Sequence, residues 1–289
     1  MTKITKAVLP AAGFGTRFLP ATKATPKEML PIVDKPTIQY LVEEAVASGI
    51  QEIIVITGSG KRSIEDHFDH AFELEAALQK KGKDDLLKQI RELENMAKFV
   101  YVRQPQPRGD GDAILRAKEV IGNEPFAVLF GDDIVDNEQK PALKQLIEQH
   151  EKTGCSVIAL EKVPDEDVSS YGIIKPASSD DRLHEIESMV EKPAQKDAPS
   201  NLGIIGKYVV TPEVLKALES ASSGHSDGEI RLIDGFIAVQ KSQKVYGYEI
   251  EGQRFDAGNK LGMLMANIHY ALKRDDLGPE LKAYLKSLD

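Results

Sequence analysis

The stretch AAGFGTRFLPATKATPKEMLPI, residues 11–32, sets two glycines, one arginine and two lysines behind an apolar run. Gly13 and Gly15 let backbone N–H groups come close to an anion, and the guanidinium of Arg17 can fork onto two oxygens of a phosphate. Pro26 and Pro31 flank Lys27 and fix the direction of its chain. Together these groups suit a polyphosphate carrying several negative charges. Neither familiar phosphate pattern is present. The third glycine of the dinucleotide fingerprint would fall on Phe18, and no Gly-Lys-Ser or Gly-Lys-Thr follows. Each feature alone also fits an ordinary strand-to-helix turn with solvated lysines such as Lys23 and Lys35.

Acidic and basic groups recur further along. Asp132 lies in GDD behind the apolar run FAVLF, Glu191 and Lys192 lie in VEKP, and Asp256 lies in RFDAGNK. GDD alone is equally a turn and helix cap, and EKP alone a surface strand end. Asp110 and Asp112 in RGDGDA lack the spacing and terminal glutamate of a calcium-binding EF-hand loop. His67 and His70 stand three apart on a charged helical stretch, read with Phe68 and Phe72 facing inward, and the six histidines form no zinc pattern. The only cysteine, Cys155, reads as a half-buried strand thiol.

These groups need a frame. KAVLP (6–10) and EIIVIT (52–57) read as buried strands, and KFVYV (98–102) and FAVLFGDD (126–133) as a third and a fourth strand, the last ending in acid. Between the first two, PTIQYLVEEAVASG (36–49) places Ile38, Leu41, Val42, Ala45 and Val46 on one helical face, with Gly49 at its end. A charged helical region spans 61–95 with a break near Gly82, and a further helix starts at Ala113. Such alternation predicts a parallel sheet with ligands beyond the carboxyl ends of its strands. From about residue 155 the rhythm turns to strands, at 155–163, 171–176, 184–193 and 201–210. A helix capped by Thr211 follows, then a late strand at 244–252 and a helical tail. No linker separates the halves, so one domain is expected.

A net charge of −9 and a pI near 5.3 argue against general binding to nucleic acid or anionic membranes. No secretory signal or membrane span is evident in the sequence, so the expected address is cytoplasmic.

The segment LPAAGFGTRFLPATKATPKEMLPIVDKPTIQYLVEEA closely resembles the bacterial UTP:glucose-1-phosphate uridylyltransferases, or UDP-glucose pyrophosphorylases, of the sugar nucleotidyltransferase superfamily. The resemblance continues in order through EPFAVLFGDDIV, SSYGIIKP, VEKP, SNLGIIGKYVVTP, GEIRLID and RFDAGNKLG. It implies an α/β, Rossmann-like fold with a mostly parallel mixed sheet flanked by helices over residues 1–289. A nucleotide-binding half would cover 1–135, a sugar-phosphate half 136–257, and C-terminal helices 258–289. It also implies Mg²⁺, the substrates UTP and glucose 1-phosphate, and a homodimer or homotetramer assembled through 72–95 and 259–288.

Carried over by residue, Ala11, Ala12, Gly13 and Gly15 would cradle the nucleotide with Arg17 and Lys27 on its phosphates. Gln104, Gly109, the backbone of Ala12 and Glu28 would meet the base. Gly172, Glu191, Lys192 and Asn201 would hold the sugar phosphate, with Lys192 on the phosphate. Asp132 and Asp256 would bind the metal. RGDGDA departs from the family's Gly-Leu-Gly-His-like run and FDAGNK from FDTGDK, which bears on the contacts beside them. The alternatives are a thymidylyl- or cytidylyltransferase and a non-catalytic nucleotide-sugar binding protein. The physical case is independent of the name: a sugar phosphate oxygen is already charged and needs no general base, so the main obstacle is repulsion between two anions.

Overall fold

The computed structural model describes residues 3–220 and 228–288. Along the chain the strands are β1 (Lys6–Pro10), β2 (Pro31–Ile32), β3 (Lys35–Pro36), β4 (Glu52–Thr57), β5 (Lys98–Arg103), β6 (Phe126–Leu129) and β7 (Asp133–Asp136). They continue as β8 (Ser156–Lys162), β9 (Gly172–Asp180), β10 (Leu183–Glu191), β11 (Leu202–Val210), β12 (Val245–Glu249) and β13 (Gln253–Asp256). The helices are α1 (Thr37–Ala47), α2 (Arg62–Phe68), α3 (Phe72–Lys80), α4 (Asp84–Glu94), α5 (Asp110–Arg116) and α6 (Lys118–Ile121). After them come α7 (Ala142–Thr153), α8 (Pro212–Ser220), α9 (Leu232–Val239), α10 (Lys260–Leu272) and α11 (Gly278–Lys286).

Nine strands form one mixed sheet in the order β5-β4-β1-β6-β11-β8-β12-β10-β9. The four strands β5, β4, β1 and β6 run parallel, with Val8 beside both Ile54 and Val128. β11 is antiparallel to both β6 and β8, and so joins the two halves of the chain in a single sheet. The central strands carry apolar side chains on both faces, and each face is covered: Ala7, Leu9, Ile53 and Val55 pack with α1 and α7 on one side. Val8, Ile54, Ile56 and Val128 pack with α5, α8 and α9 on the other.

Helix α1 buries Ile38, Leu41, Val42 and Ala45, the face that the sequence periodicity marks. The charged region is three helices instead of two, because the chain turns between Phe68 and Phe72. Phe68 is buried, but Phe72 is 69% exposed, which corrects the inward placement of both rings. Their four-residue spacing has meaning only within a continuous helix. Helix α5 begins at Asp110, three residues ahead of Ala113. The Thr211 hydroxyl turns to Ser156 and Gln243.

β1 continues through an Ala11 N–H bond to the Ile56 carbonyl, then gives way to the glycine loop beside the end of β6. β1 has β4 on one side and β6 on the other, so this is the crevice where the sheet order reverses and ligands bind in open α/β sheets.

Candidate active site

Gly15 takes φ of 65°, and a Cβ there would lie 2.9 Å from the Lys27 Cβ. The turn therefore needs glycine twice over, for its left-handed backbone and for the close packing of Lys27 beneath it. Thr22 Oγ1 donates to the Gly15 carbonyl at 2.7 Å and ties the loop down. Lys27 then reaches across to Asp132, with Nζ 2.8 Å from Oδ2. Burial would lower the pKa of Lys27, but Asp132 and Glu28 more than offset it, and the ammonium lies above its ordinary value. Burial would raise Asp132, and Lys27 outweighs it in the other direction. Both groups are charged at neutral pH.

Asp132 and Asp256 converge above Gly258, where a Cβ would stand 2.6 Å from Asp132 Oδ2 and 2.9 Å from Asp256 Oδ1. Two hard carboxylate oxygens over a position without a side chain suit a divalent cation of the magnesium type. Asn259, in the altered FDAGNK run, donates Nδ2 to Asp256 Oδ2 at 2.9 Å while its own Oδ1 caps α10 through Gly262 N–H. Arg17 is exposed, with a guanidinium nitrogen 3.5 Å from the Gly258 carbonyl.

On one side of this rim lies a cavity of about 260 Å³ bounded in part by Ala12, Gly13, Glu28, Gln104 and Gly109. Gln104 Nε2 donates to Asp112 Oδ2 at 2.7 Å and to the Gly109 carbonyl at 3.1 Å. Both amide hydrogens are thereby engaged, and the Gln104 carbonyl is left for a ligand. Glu28 is buried, with Oε2 on Lys61 Nζ at 2.8 Å and Oε1 without a partner. A Cβ on Gly109 would stand 2.3 Å from the Ile230 carbonyl, and Gly111 N–H bonds the same carbonyl at 2.9 Å. The glycines of RGDGDA thus let this loop lie against GEIRLID.

On the other side lies a cavity of about 230 Å³ that includes Asp132, Gly172, Glu191, Lys192 and Asp256. Asp110 and Phe130 line both cavities, so the two meet there. Gly172 pairs with Glu191 across β9 and β10, and a Cβ on it would lie 3.1 Å from Glu191 Oε2. Lys192 adopts φ of 47°, unusual for a residue with a side chain, and its N–H bonds the Tyr171 carbonyl at 3.0 Å. Tyr171 is held in turn by Arg254 through its hydroxyl at 3.2 Å, and Arg254 is paired with Asp133. Asn201 is exposed ahead of β11 and is absent from the walls of both cavities, as are Ala11, Gly15 and Arg17.

Several participants were not visible as such in the sequence. Lys61 lies in no motif and Arg254 opens RFDAGNK without a role assigned to it; each is placed by a partner distant in the chain, Glu28 or Asp133. Asp112 stood out as a rejected calcium-loop acid and as a departure from the family pattern, not as a partner of Gln104. Asp110 accepts from Leu232 N–H at 2.8 Å, and burial pushes its pKa up to about 6. Arg108 bonds Gln106. Of the histidines, His67 bonds Gln39, and His225 lies outside the described residues.

A Rossmann-like sheet whose glycine loop and acidic rim stand between two adjoining cavities defines a nucleotide-dependent transferase of the α/β class. The chain belongs to the nucleotidyl transferase family, whose model matches residues 6–271. It is 53% identical over 289 residues, the whole of both chains, to the UTP--glucose-1-phosphate uridylyltransferase of Staphylococcus epidermidis. Among solved structures it resembles a UTP-bound UGPase from Acinetobacter baumannii, with TM-score 0.92 and 43% identity over 99% of this chain and 100% of that one. It also resembles a UDP-glucose pyrophosphorylase complexed with UDP-glucose, with TM-score 0.85 and 44% identity over 94% of this chain and 100% of the other.

Proposed function

We propose that the protein condenses UTP with α-D-glucose 1-phosphate to give UDP-glucose and pyrophosphate. The observation that carries this reading is the Lys27–Asp132 pair on the rim between two adjoining cavities, one lined by Gln104 and the other by Glu191 and Lys192. Full-length identity of 53% to a uridylyltransferase supports the choice of substrates.

The base side of the site presents acceptors: the Gln104 carbonyl and the unpartnered Glu28 Oε1. Uracil and thymine offer an N3–H to an acceptor, and cytosine does not. Arg17 and Lys27 hold the nucleotide phosphates, Lys192 the sugar phosphate, and Glu191 accepts from sugar hydroxyls. The phosphate oxygen of the sugar then attacks the α-phosphorus of UTP as the bond to the pyrophosphate oxygen breaks, and no proton need move. Asp132 and Asp256 would hold Mg²⁺, which when bound neutralises phosphate charge. The cations of this chain lower the repulsion between the substrates and keep attacking and leaving groups aligned.

In this reading residues 1–135 serve the nucleotide and 136–257 the sugar phosphate. The C-terminal helices meet a second copy: Leu261, Leu264, Met265 and Ile268 lie exposed on α10. Light scattering of the purified protein gives the oligomer number.

The decisive assay is pyrophosphate release with UTP, dTTP and CTP, each crossed against several sugar 1-phosphates, with and without Mg²⁺. Release should be fastest with UTP and glucose 1-phosphate and should need the cation. Equal rates with every nucleotide, or no release at all, would overturn the proposal.

A further inference from the structure

The hairpin of α3 and α4 carries a second cluster of polar groups. Among the described residues, one set of three brings potential metal-ligating atoms within 4.8 Å of one another: His70, Glu75 and Glu94. His70 precedes α3, Glu75 lies in its first turn, and Glu94 ends α4. They border a surface cavity whose lining, Phe68, Asp69, Arg91 and Asn95 besides these three, shares no residue with the two catalytic cavities.

The hydrogen bonding at this cluster is incomplete. His70 Nδ1 lies 2.6 Å from Glu75 Oε1 and 3.1 Å from Glu94 Oε2. One ring nitrogen carries one hydrogen, and it is aligned on Glu94. Glu75 Oε1 is left in contact with the nitrogen but without a hydrogen bond, on a side chain only 8% exposed. A buried carboxylate oxygen in that state is costly. Both glutamates are held from behind: Arg91 Nε donates to Glu75 Oε2 at 2.7 Å, and Ala71 N–H donates to Glu94 Oε1 at 3.0 Å. The oxygens facing His70 are therefore pre-oriented, as ligands supported by outer hydrogen bonds are.

We propose that His70, Glu75 and Glu94 form a divalent metal site, with zinc the best-matched ion. One cation satisfies all three atoms at once, where a single proton serves two of them. An imidazole and two carboxylates, with one position open to water, match zinc coordination, and the imidazole disfavours magnesium or calcium. The metal would cross-link the start of α3 to the end of α4, beside the Arg91–Glu75 ion pair that already joins the two helices.

The test is calorimetric titration of Zn²⁺ into chelator-stripped full-length protein, comparing wild type with His70→Ala and Glu75→Gln. The wild type should take up one equivalent more than His70→Ala, and Glu75→Gln should weaken that equivalent roughly tenfold or more. Neither variant alters the catalytic cavities, so both should keep pyrophosphate release, which also reports that they are folded. Should either variant fail to fold, the other still decides. Equal stoichiometry and affinity in wild type and variants, or no zinc uptake by the wild type, would overturn the proposal and leave a proton-bridged cluster.

Discussion

Lys27 Nζ stands 2.8 Å from Asp132 Oδ2, joining residues 105 positions apart at the point where the glycine loop meets the end of β6. Each holds the other in its charged form before any substrate arrives. On the proposed function, phosphates entering the rim would give Lys27 a new partner and release Asp132 toward a cation. Lys27→Ala and Asp132→Asn should each cut the rate of pyrophosphate release roughly 10²-fold or more. Steady-state assays at saturating substrate check this, and losses under about threefold would count against both roles.

Asp112, part of the RGDGDA departure from the family pattern, fixes the amide of Gln104. Asp112→Leu leaves the amide only its longer bond to the Gly109 carbonyl, so that it can flip and present its NH₂ to a base. The ratio of kcat/KM for UTP to that for CTP should then fall by roughly tenfold, while Asp112→Asn, which still offers an acceptor oxygen, should retain most of it. An unchanged ratio in Asp112→Leu would show that Gln104 is oriented by something else.

Asp110 sits where the two cavities join, and burial lifts its pKa from 3.8 to about 6. The folded protein therefore holds this proton more tightly than the unfolded chain does. The linked stability is fully present below about pH 4 and is lost as pH rises through about 6. Asp110→Asn should be more stable than wild type at pH 7, by an amount on the order of 1–3 kcal/mol, with the difference vanishing near pH 4. Denaturant melts across this range would show it, and a difference independent of pH would contradict it.

Lys207 is fully buried on β11, and its Nζ lies 2.7 Å from Glu44 Oε2 on α1. Lys207→Ala leaves the Glu44 side chain without its ion-pair partner in a region closed to solvent, and should cost about 3–5 kcal/mol in urea melts. A loss below about 1 kcal/mol would mean that water reaches Glu44 readily.

The buried strands and α1 were legible because their patterns are local: continuous apolar runs for strands covered on both faces, and a repeat of three to four for the helix. Motif order, from the glycine loop to FDAGNK, carried the resemblance and the main rim residues. What escaped the sequence depends on contacts across the chain. The turn at residues 69–71 separates Phe72 from the face of Phe68, and Asp110 starts α5 early while bonding Leu232 N–H. Arg254 reads as any charged strand residue until Asp133, Glu161 and Tyr171 close around it. His70 gained its neighbours Glu75 and Glu94 only when α3 folded back along α4.

The central claim is that the two cavities hold the two halves of one nucleotide sugar, with the diphosphate between Lys27 and Lys192. A crystal structure of the protein with UDP-glucose and Mg²⁺ tests it most directly. The account predicts uracil against Gln104, glucose against Glu191, and both lysine ammonium groups within about 4 Å of phosphate oxygens. A diphosphate contacted by neither lysine, or a nucleotide sugar lying outside these cavities, would contradict it.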